Sequence, residues 1–448
     1  MTDELVTMVE KFGSLSEYYI RLNRWILKPI GAWPTSSSAT RKEKIVTQIV
    51  IIICWCILLF TMISGLLHMI LEKEDIYIKL KAIGPVIFWC TGTFNYVILL
   101  LHKDDICFCI EHVRADWKII TRVKDQRVMF KAAKLGRYIA SICAEFTFGA
   151  ILGFCIISGT FKQTMKVRNE TIITYSLPCP VYKLPIHTNP THSIIFTTQF
   201  LSAIILSANA SGFFTLVATL TSHAFGQLNV MMTWISEFVN QTSNHNKNTN
   251  INVIGVIVEH HSRILSLISR IERMMNQIYL LEMFKSMLGM CLPCYLILAE
   301  WSEHNIPNTV KYTIIFISMT FNIFLLCYTG EILTKQCKKV GDVIYMTNWY
   351  QLPDKDILNL MMIILRSGTE VKLTSGKLIT MSVLTFGNVL KTVFAYLNML
   401  RQVICFISPS EYRIQLDRWI LKPIAAWPAL SSSMTIRRMA YEYEYEEI

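Results

Sequence analysis

Charge is scarce in this sequence: Asp, Glu, Lys and Arg make up 17% of 448 residues, against 52% hydrophobic, and the mean hydropathy is +0.40. A chain this poor in charge does not read as two or three soluble domains, and the composition predicts a membrane protein. The opening stretch MTDELVTMVEKFG has neither a basic start nor an unbroken apolar core. No cleavable signal is expected, so insertion should rely on internal apolar segments. Long basic runs are lacking too. The net charge of +11 is spread between apolar stretches, which favours a topological origin over nucleic-acid binding.

Chemistry-bearing clusters are equally sparse. Most of the 13 cysteines, among them Cys54, Cys56, Cys90, Cys143, Cys155 and Cys327, lie inside apolar runs and read as small buried hydrophobes. Cys291 and Cys294 have CxxC spacing, but no second pair or His pair completes a metal or redox site, and membrane-core packing is the expectation. His260 and His261 fall in a polar helical stretch, and His187 and His192 in the loop LPIHTNPTH, none with a carboxylate or Cys at ligand spacing. All four are expected at the surface. No catalytic constellation, metal or cofactor is expected, and the chain does not read as an enzyme.

What the sequence has is apolar segments. A bilayer core about 30 Å thick needs roughly 20 residues of helix. Seven segments qualify: Ile45–Leu71, Ala82–Leu101, Tyr138–Thr160, Ser193–Leu220, Tyr279–Ala299, Tyr312–Gly330 and Leu378–Leu400. The stretches before the first segment and after the second, fourth and sixth carry 27 Lys and Arg, the alternate connections 8. That bias predicts a cytoplasmic N-terminus. Asn169, in the tripeptide with Glu170 and Thr171, is then a glycosylation candidate on the outside, whereas Asn240 falls inside. Asn244–Asn250 is a polar tip in the fourth-to-fifth connection and is expected to be a loop. A G-protein-coupled receptor has the opposite orientation, and its motifs are missing: SGTFKQTMKVRNE follows the third segment and FGNVLKTVFAYLNML ends the seventh.

The last segment is the least apolar, carrying Asn388, Lys391 and Asn398, and should face water or protein. Before it, Glu331–Tyr345 reads as helix, Trp349 to Pro353 as a turn, and Asp354–Arg366 as an amphipathic helix with Ile357, Leu360, Met361, Ile364 and Leu365 on one face. Such a stripe needs another surface to pack against.

This region closely resembles the C-terminal region of insect odorant receptors. The matching residues are Tyr328, Gly330, Glu331, Tyr345, Trp349, Tyr350, Leu352, Pro353, Arg366, Ser367, Thr374, Gly376, Lys377, Phe386, Leu390, Lys391 and Tyr396. Asp116, Trp117, Met129, Gly136 and Arg137 match a second region, and the likeness covers about residues 16–403. Cys337, Glu370 and Ser375 depart from the usual Ser, Pro and Ala.

The resemblance implies an all-α multi-pass protein of seven transmembrane helices, the seventh split into a cytoplasmic half and a pore half. It implies an odorant-tuning subunit of a ligand-gated non-selective cation channel, a heterotetramer with a common co-receptor in the plasma membrane of sensory-neuron dendrites. Trp349, Tyr350, Leu360, Ile364 and Arg366 would belong to the central anchor. Asn398, Met399, Gln402 and Val403 would lie at the pore and its apolar gate. Small apolar odorants need an aromatic-lined cavity, placed by the resemblance among helices two, three, four and six, where Phe88, Trp89, Phe148, Leu152, Phe196, Gln199, Phe200, Tyr312 and Phe316 are the candidates. A gustatory-receptor-like homomeric channel is the alternative. The co-receptor itself has a much longer fourth-to-fifth connection than Thr221–Ile278.

The expected divisions are 1–44, a cytoplasmic membrane-interface segment; 45–330, a six-helix sensing bundle; 331–377, the anchor; 378–403, the pore helix; and 404–448, an extra tail. Ser16–Pro34 and Ser410–Pro428 agree at 15 of 19 positions, differing at Tyr19/Arg413, Arg21/Gln415, Asn23/Asp417 and Gly31/Ala425. Residues 404–448 are therefore expected to be the start of a neighbouring, duplicated receptor gene joined to this one.

Overall fold

The structure, a computed structural model, describes residues 15–35, 40–73, 76–160, 162–167, 170–175, 177–182, 189–243, 253–369 and 371–407. Asn169, His187, the Asn244–Asn250 tip, Glu370 and the second copy of the repeated segment lie outside them. The chain forms two compact units, Met1–Val393 and Phe394–Ile448.

The helices are α1 (Leu15–Leu27), α2 (Arg41–Leu71), α3 (Ile76–Leu101), α4 (Lys103–Ile119), α5 (Val123–Thr160), α6 (Asn189–Ser243), α7 (Val253–Ser302), α8 (Ile306–Tyr345), α9 (Asp354–Gly368) and α10 (Val383–Ile407). Seven of them, α2, α3, α5, α6, α7, α8 and α10, are long and apolar enough to cross a membrane. All seven segments read from the sequence fall within or overlap these helices. The middle four are far longer than a crossing requires: α6, at 55 residues, extends about 80 Å. Their polar extensions pack with α1, α4 and α9 at one end of the first unit. The hairpin of β1 (Lys162–Val167) and β2 (Glu170–Tyr175) joins α5 to α6 at the other.

Helix starts follow the local chemistry. Thr40 caps α2 in a capping box with Glu43, and Asn305 caps α8 with a proline in its first turn. The seventh span begins later than the hydropathy suggests. Leu378 lies in a small hairpin, β3 (Thr374–Ser375) against β4 (Ile379–Thr380), whose turn carries Gly376 and Lys377 at positive φ. Helix α10 starts only at Val383, where Glu331 Oε2 accepts a hydrogen bond from the Val383 amide at 2.7 Å. An apolar count ran through this turn because Leu378 and Ile379 look like span residues.

The first copy of the repeated segment docks on the bundle. Helix α1 and the turn after it bury Tyr18, Tyr19, Ile20, Leu27, Ile30 and Ala32. Asn23 Nδ2 donates to Thr219 Oγ1 at 2.9 Å, Arg137 to the Tyr18 carbonyl at 2.9 Å, and Tyr96 Oη to the Ile30 carbonyl at 2.7 Å. Trp25 and Lys28 remain exposed.

In α9, Leu360 and Ile363 are buried against the chain, whereas Leu358, Met361, Met362 and Leu365 are exposed. The single stripe expected from the sequence is two apolar faces, and Met361 and Leu365 belong to the outer one.

Candidate functional site

A cavity of about 100 Å³ lies among α3, α5, α6, α7 and α8. Helix α3 contributes Pro85, Phe88 and Trp89, α5 contributes Thr147, Ala150, Ile151 and Phe154, and α6 contributes Ala210 and Phe214. Helix α8 adds Tyr312, Ile315, Ser318, Met319 and Asn322. Seven lining residues come from α7: Glu282, Lys285, Ser286, Gly289, Leu292, Pro293 and Leu296, whose spacing of three, four and seven is one helix face.

Trp89 is fixed from behind. Its indole nitrogen donates to Ser202 Oγ at 2.7 Å, and the Phe88 ring meets it edge-on at 5.4 Å. At the hairpin end of the cavity, Lys81 Nζ lies 2.6 Å from Glu300 Oε1, Asn308 Nδ2 donates to Glu300 Oε2 at 3.0 Å, and Lys311 sits over the Phe154 and Tyr312 rings. At the opposite end, Lys285 Nζ donates to Glu282 Oε1 at 2.6 Å, and the same oxygen accepts from Asn95 Nδ2 at 2.7 Å. Burying charges in a bilayer-spanning bundle is costly unless they pair, and both carboxylates are paired.

Of the nine pocket candidates, Phe88, Trp89 and Tyr312 line the cavity. Gln199 instead clamps the Cys179 backbone, accepting from its amide at 3.1 Å and donating to its carbonyl at 2.8 Å. Phe196 stacks with Phe200 at 6.3 Å and fills the space left by Gly159. Phe148, Leu152 and Phe316 are half-buried away from the cavity, where their neighbours Ile151 and Ile315 line it. One residue is about 100° on a helix, which apolar content alone cannot settle. The contribution of α7 was missed, although Glu282 and Lys285, two charges inside a predicted span, were its signal.

Of the anchor candidates, Leu360 is buried, Trp349 and Ile364 are half-buried, and Tyr350 and Arg366 are exposed. Asn398, Met399 and Gln402 are exposed on α10, and the side chain of Val403 lies outside the described residues.

A second polar cluster occupies the α4 end. His112 Nδ1, Asp116 Oδ2 and His223 Nε2 lie within 4.8 Å of one another, a donor set of metal-binding type. Arg263 Nε, 2.8 Å from Asp116 Oδ1, already balances the carboxylate, and the cluster reads as a strap joining α4, α6 and α7. Burial alone would raise the Asp116 carboxyl. The bonds from His112 and His223 outweigh it and hold the group well below the carboxylate range. The histidines corrected by the structure are His260 and His261: His261 is buried, and His260 packs against the Trp234 ring at 4.8 Å, because the α6 and α7 extensions cover this stretch. His192 is half-buried and stacks on Phe196.

Seven helices long and apolar enough to cross a membrane, five of which line a largely apolar cavity, define a multi-pass membrane protein with a small-molecule site. A family model described as 7tm Odorant receptor matches residues 75–394, and the chain belongs to that family. It is similar to Odorant receptor 10 of Aedes albopictus, 22% identical over 317 residues, covering 69% of this chain and 81% of that one. The likeness to Odorant receptor 83a of Drosophila melanogaster is 22% over 147 residues and spans 33% of this chain and 32% of the relative's length. Among solved structures, the insect olfactory receptor OR5 from Machilis hrabei, in complex with eugenol, shares the fold. Its TM-score is 0.69 at 16% identity, over 86% of this chain and 99% of that one.

Proposed function

We propose that this chain is an odorant-tuning subunit of a ligand-gated, non-selective cation channel that assembles with a common co-receptor in the plasma membrane of olfactory neurons. The N-terminus is cytoplasmic, and the α4 and α9 end of the first unit faces the cytoplasm. The carrying observation is the cavity among α3, α5, α6, α7 and α8, whose lining under that orientation runs from Lys81 and Tyr312 at the outer side to Glu282 and Phe214 beyond the middle of the bundle. Its largely apolar walls suit a small, compact odorant; the solved relative is in complex with eugenol.

The anchor role of residues 331–377 is supported by the outer face of α9, where Leu358, Met361, Met362 and Leu365 are exposed in the single chain. Pore lining by α10 is supported by Asn388, Lys391, Asn398 and Gln402, which repeat at helical spacing and are exposed. Met399 is the described apolar residue of the gate region, and ligand binding favours the open conformation by a shift of populations.

Filling the cavity tests the assignment. Ala150→Trp, delivered to the cell surface in normal amount, abolishes odorant-evoked current. An unchanged dose response in that variant contradicts the site.

A further inference from the structure

The Glu282–Lys285 pair does more than balance charge. Lys285 Nζ has three N–H groups, and its partner among the described residues is Glu282, at 2.6 and 2.5 Å from the two carboxylate oxygens. Glu282 Oε1 also accepts from Asn95, which leaves Oε2 with a single donor. One ammonium N–H and one carboxylate lone pair are thus unspent on adjacent groups, and both residues line the cavity. The unspent capacity is one donor beside one acceptor.

That combination matches a hydroxyl, which donates and accepts through one oxygen. An ether or ester oxygen can only accept, and a hydrocarbon does neither. The cavity carries charge at both ends. Thr147, Ser286 and Asn322 add uncharged polar groups to the lining, Lys81 stands at the hairpin end paired with Glu300, and Pro85, Leu296 and Phe154 supply apolar wall. Asn322 is oriented by its neighbour: Thr147 Oγ1 spends its hydrogen on the Cys143 carbonyl at 2.8 Å, so it accepts from Asn322 Nδ2 at 3.1 Å. The Asn322 carbonyl oxygen is left without a protein partner. A purely structural strap between α3 and α7 would need only Asn95 and Glu282.

Resting on the reading of this cavity as the ligand site, we propose that its ligands are small alcohols or phenols, with the hydroxyl seated at Glu282 and Lys285 and the apolar body toward Pro85 and Phe154. The pair acts as the specificity determinant, because a site that hydrogen-bonds a hydroxyl loses most of its affinity for an analogue lacking one.

The test uses the full chain in lipid nanodiscs and matched ligand pairs, 4-ethylphenol with 4-ethylanisole and benzyl alcohol with benzyl methyl ether, with thermal stabilisation as the readout. The hydroxyl member of a pair stabilises the wild type at a concentration at least about ten-fold lower than its ether. In Glu282→Gln combined with Lys285→Met, where Gln still accepts from Asn95, the gap closes because the hydroxyl member loses both its donor and its acceptor, whereas the ether loses only a donor. Equal midpoints in the wild type, a gap that survives in the double variant, or no stabilisation by any member overturns the proposal. Ala150→Trp separates the two levels: if both members still stabilise it, the ligands bind elsewhere and the site reading itself fails. If both are lost there while the wild type shows no hydroxyl preference, only the ligand class fails.

Discussion

Tyr19 Oη donates to the Thr219 carbonyl oxygen at 2.8 Å and lies 2.7 Å from Ser222 Oγ, tying α1 to the middle of α6. Three of the four differences between the repeated segments fall on positions that this docking uses. Tyr19 and Asn23 are buried and bonded to α6, and Gly31 has φ +68, with Ile51 Cγ1 2.8 Å from where a Cβ would stand. The second copy has Arg413, Asp417 and Ala425 at those places.

Carrying those residues into the first copy should therefore undock it. Tyr19→Arg and Asn23→Asp each bury a charge and lose a bond, costing about 2–4 kcal/mol, and Gly31→Ala costs about 1–2 kcal/mol through its backbone. Surface delivery and thermal stability fall in all three. Arg21→Gln, at the exposed fourth position, leaves both unchanged.

The Gly330–Glu331 motif has a physical reading. A Cβ on Gly330 would stand 2.7 Å from the Met381 carbonyl oxygen, so α8 approaches the residues just before α10 more closely than any side chain allows. Glu331 supplies the acceptor for the first amide of α10. Glu331→Ala should cost about 1 kcal/mol, as loss of a helix cap does, and Gly330→Val should be worse. Both are read as lost ligand-evoked current per receptor at the surface.

Acid should loosen the α4 end. Burial would raise the Asp105 carboxyl, but His102, Arg273 and Arg270 outweigh it and hold the group at about 2; Asp116 is depressed likewise by His112 and His223. Folded values below the unfolded value of about 3.9 mean stability that is fully present above pH 4 and lost as pH falls toward 2. Asp116→Asn should flatten this acid slope and destabilise the chain by about 3–5 kcal/mol, since two histidines and Arg263 lose their carboxylate. Thermal unfolding from pH 6 to 2 checks both.

If Met399 contributes to the apolar gate, Met399→Ser should wet it and raise ligand-free current several-fold. Unchanged leak in single-channel recordings would remove Met399 from the gate.

The spans and α9 were legible because length and period carry them, and the pairing of Glu331 with the start of α10 was not, because it joins residues 52 apart through a backbone amide. In the cavity, the sequence reached four of the five helices and only part of the face: Phe88, Trp89 and Tyr312 line it, whereas Leu152 and Phe316 stand one position from Ile151 and Ile315. Glu282 and Lys285 were readable as charges in a span. Their capacity for a hydroxyl emerged only once Asn95 on α3 was seen to take one of the lone pairs. The buried His261 was hidden because its cover comes from extensions of helices whose apolar parts lie far away.

The most direct test of the account is odorant-evoked whole-cell current in cells expressing this chain with the co-receptor, beside cells expressing it alone. The account predicts a cation current that needs both chains and survives G-protein block. Current from the chain alone, or current abolished by G-protein block, would contradict it.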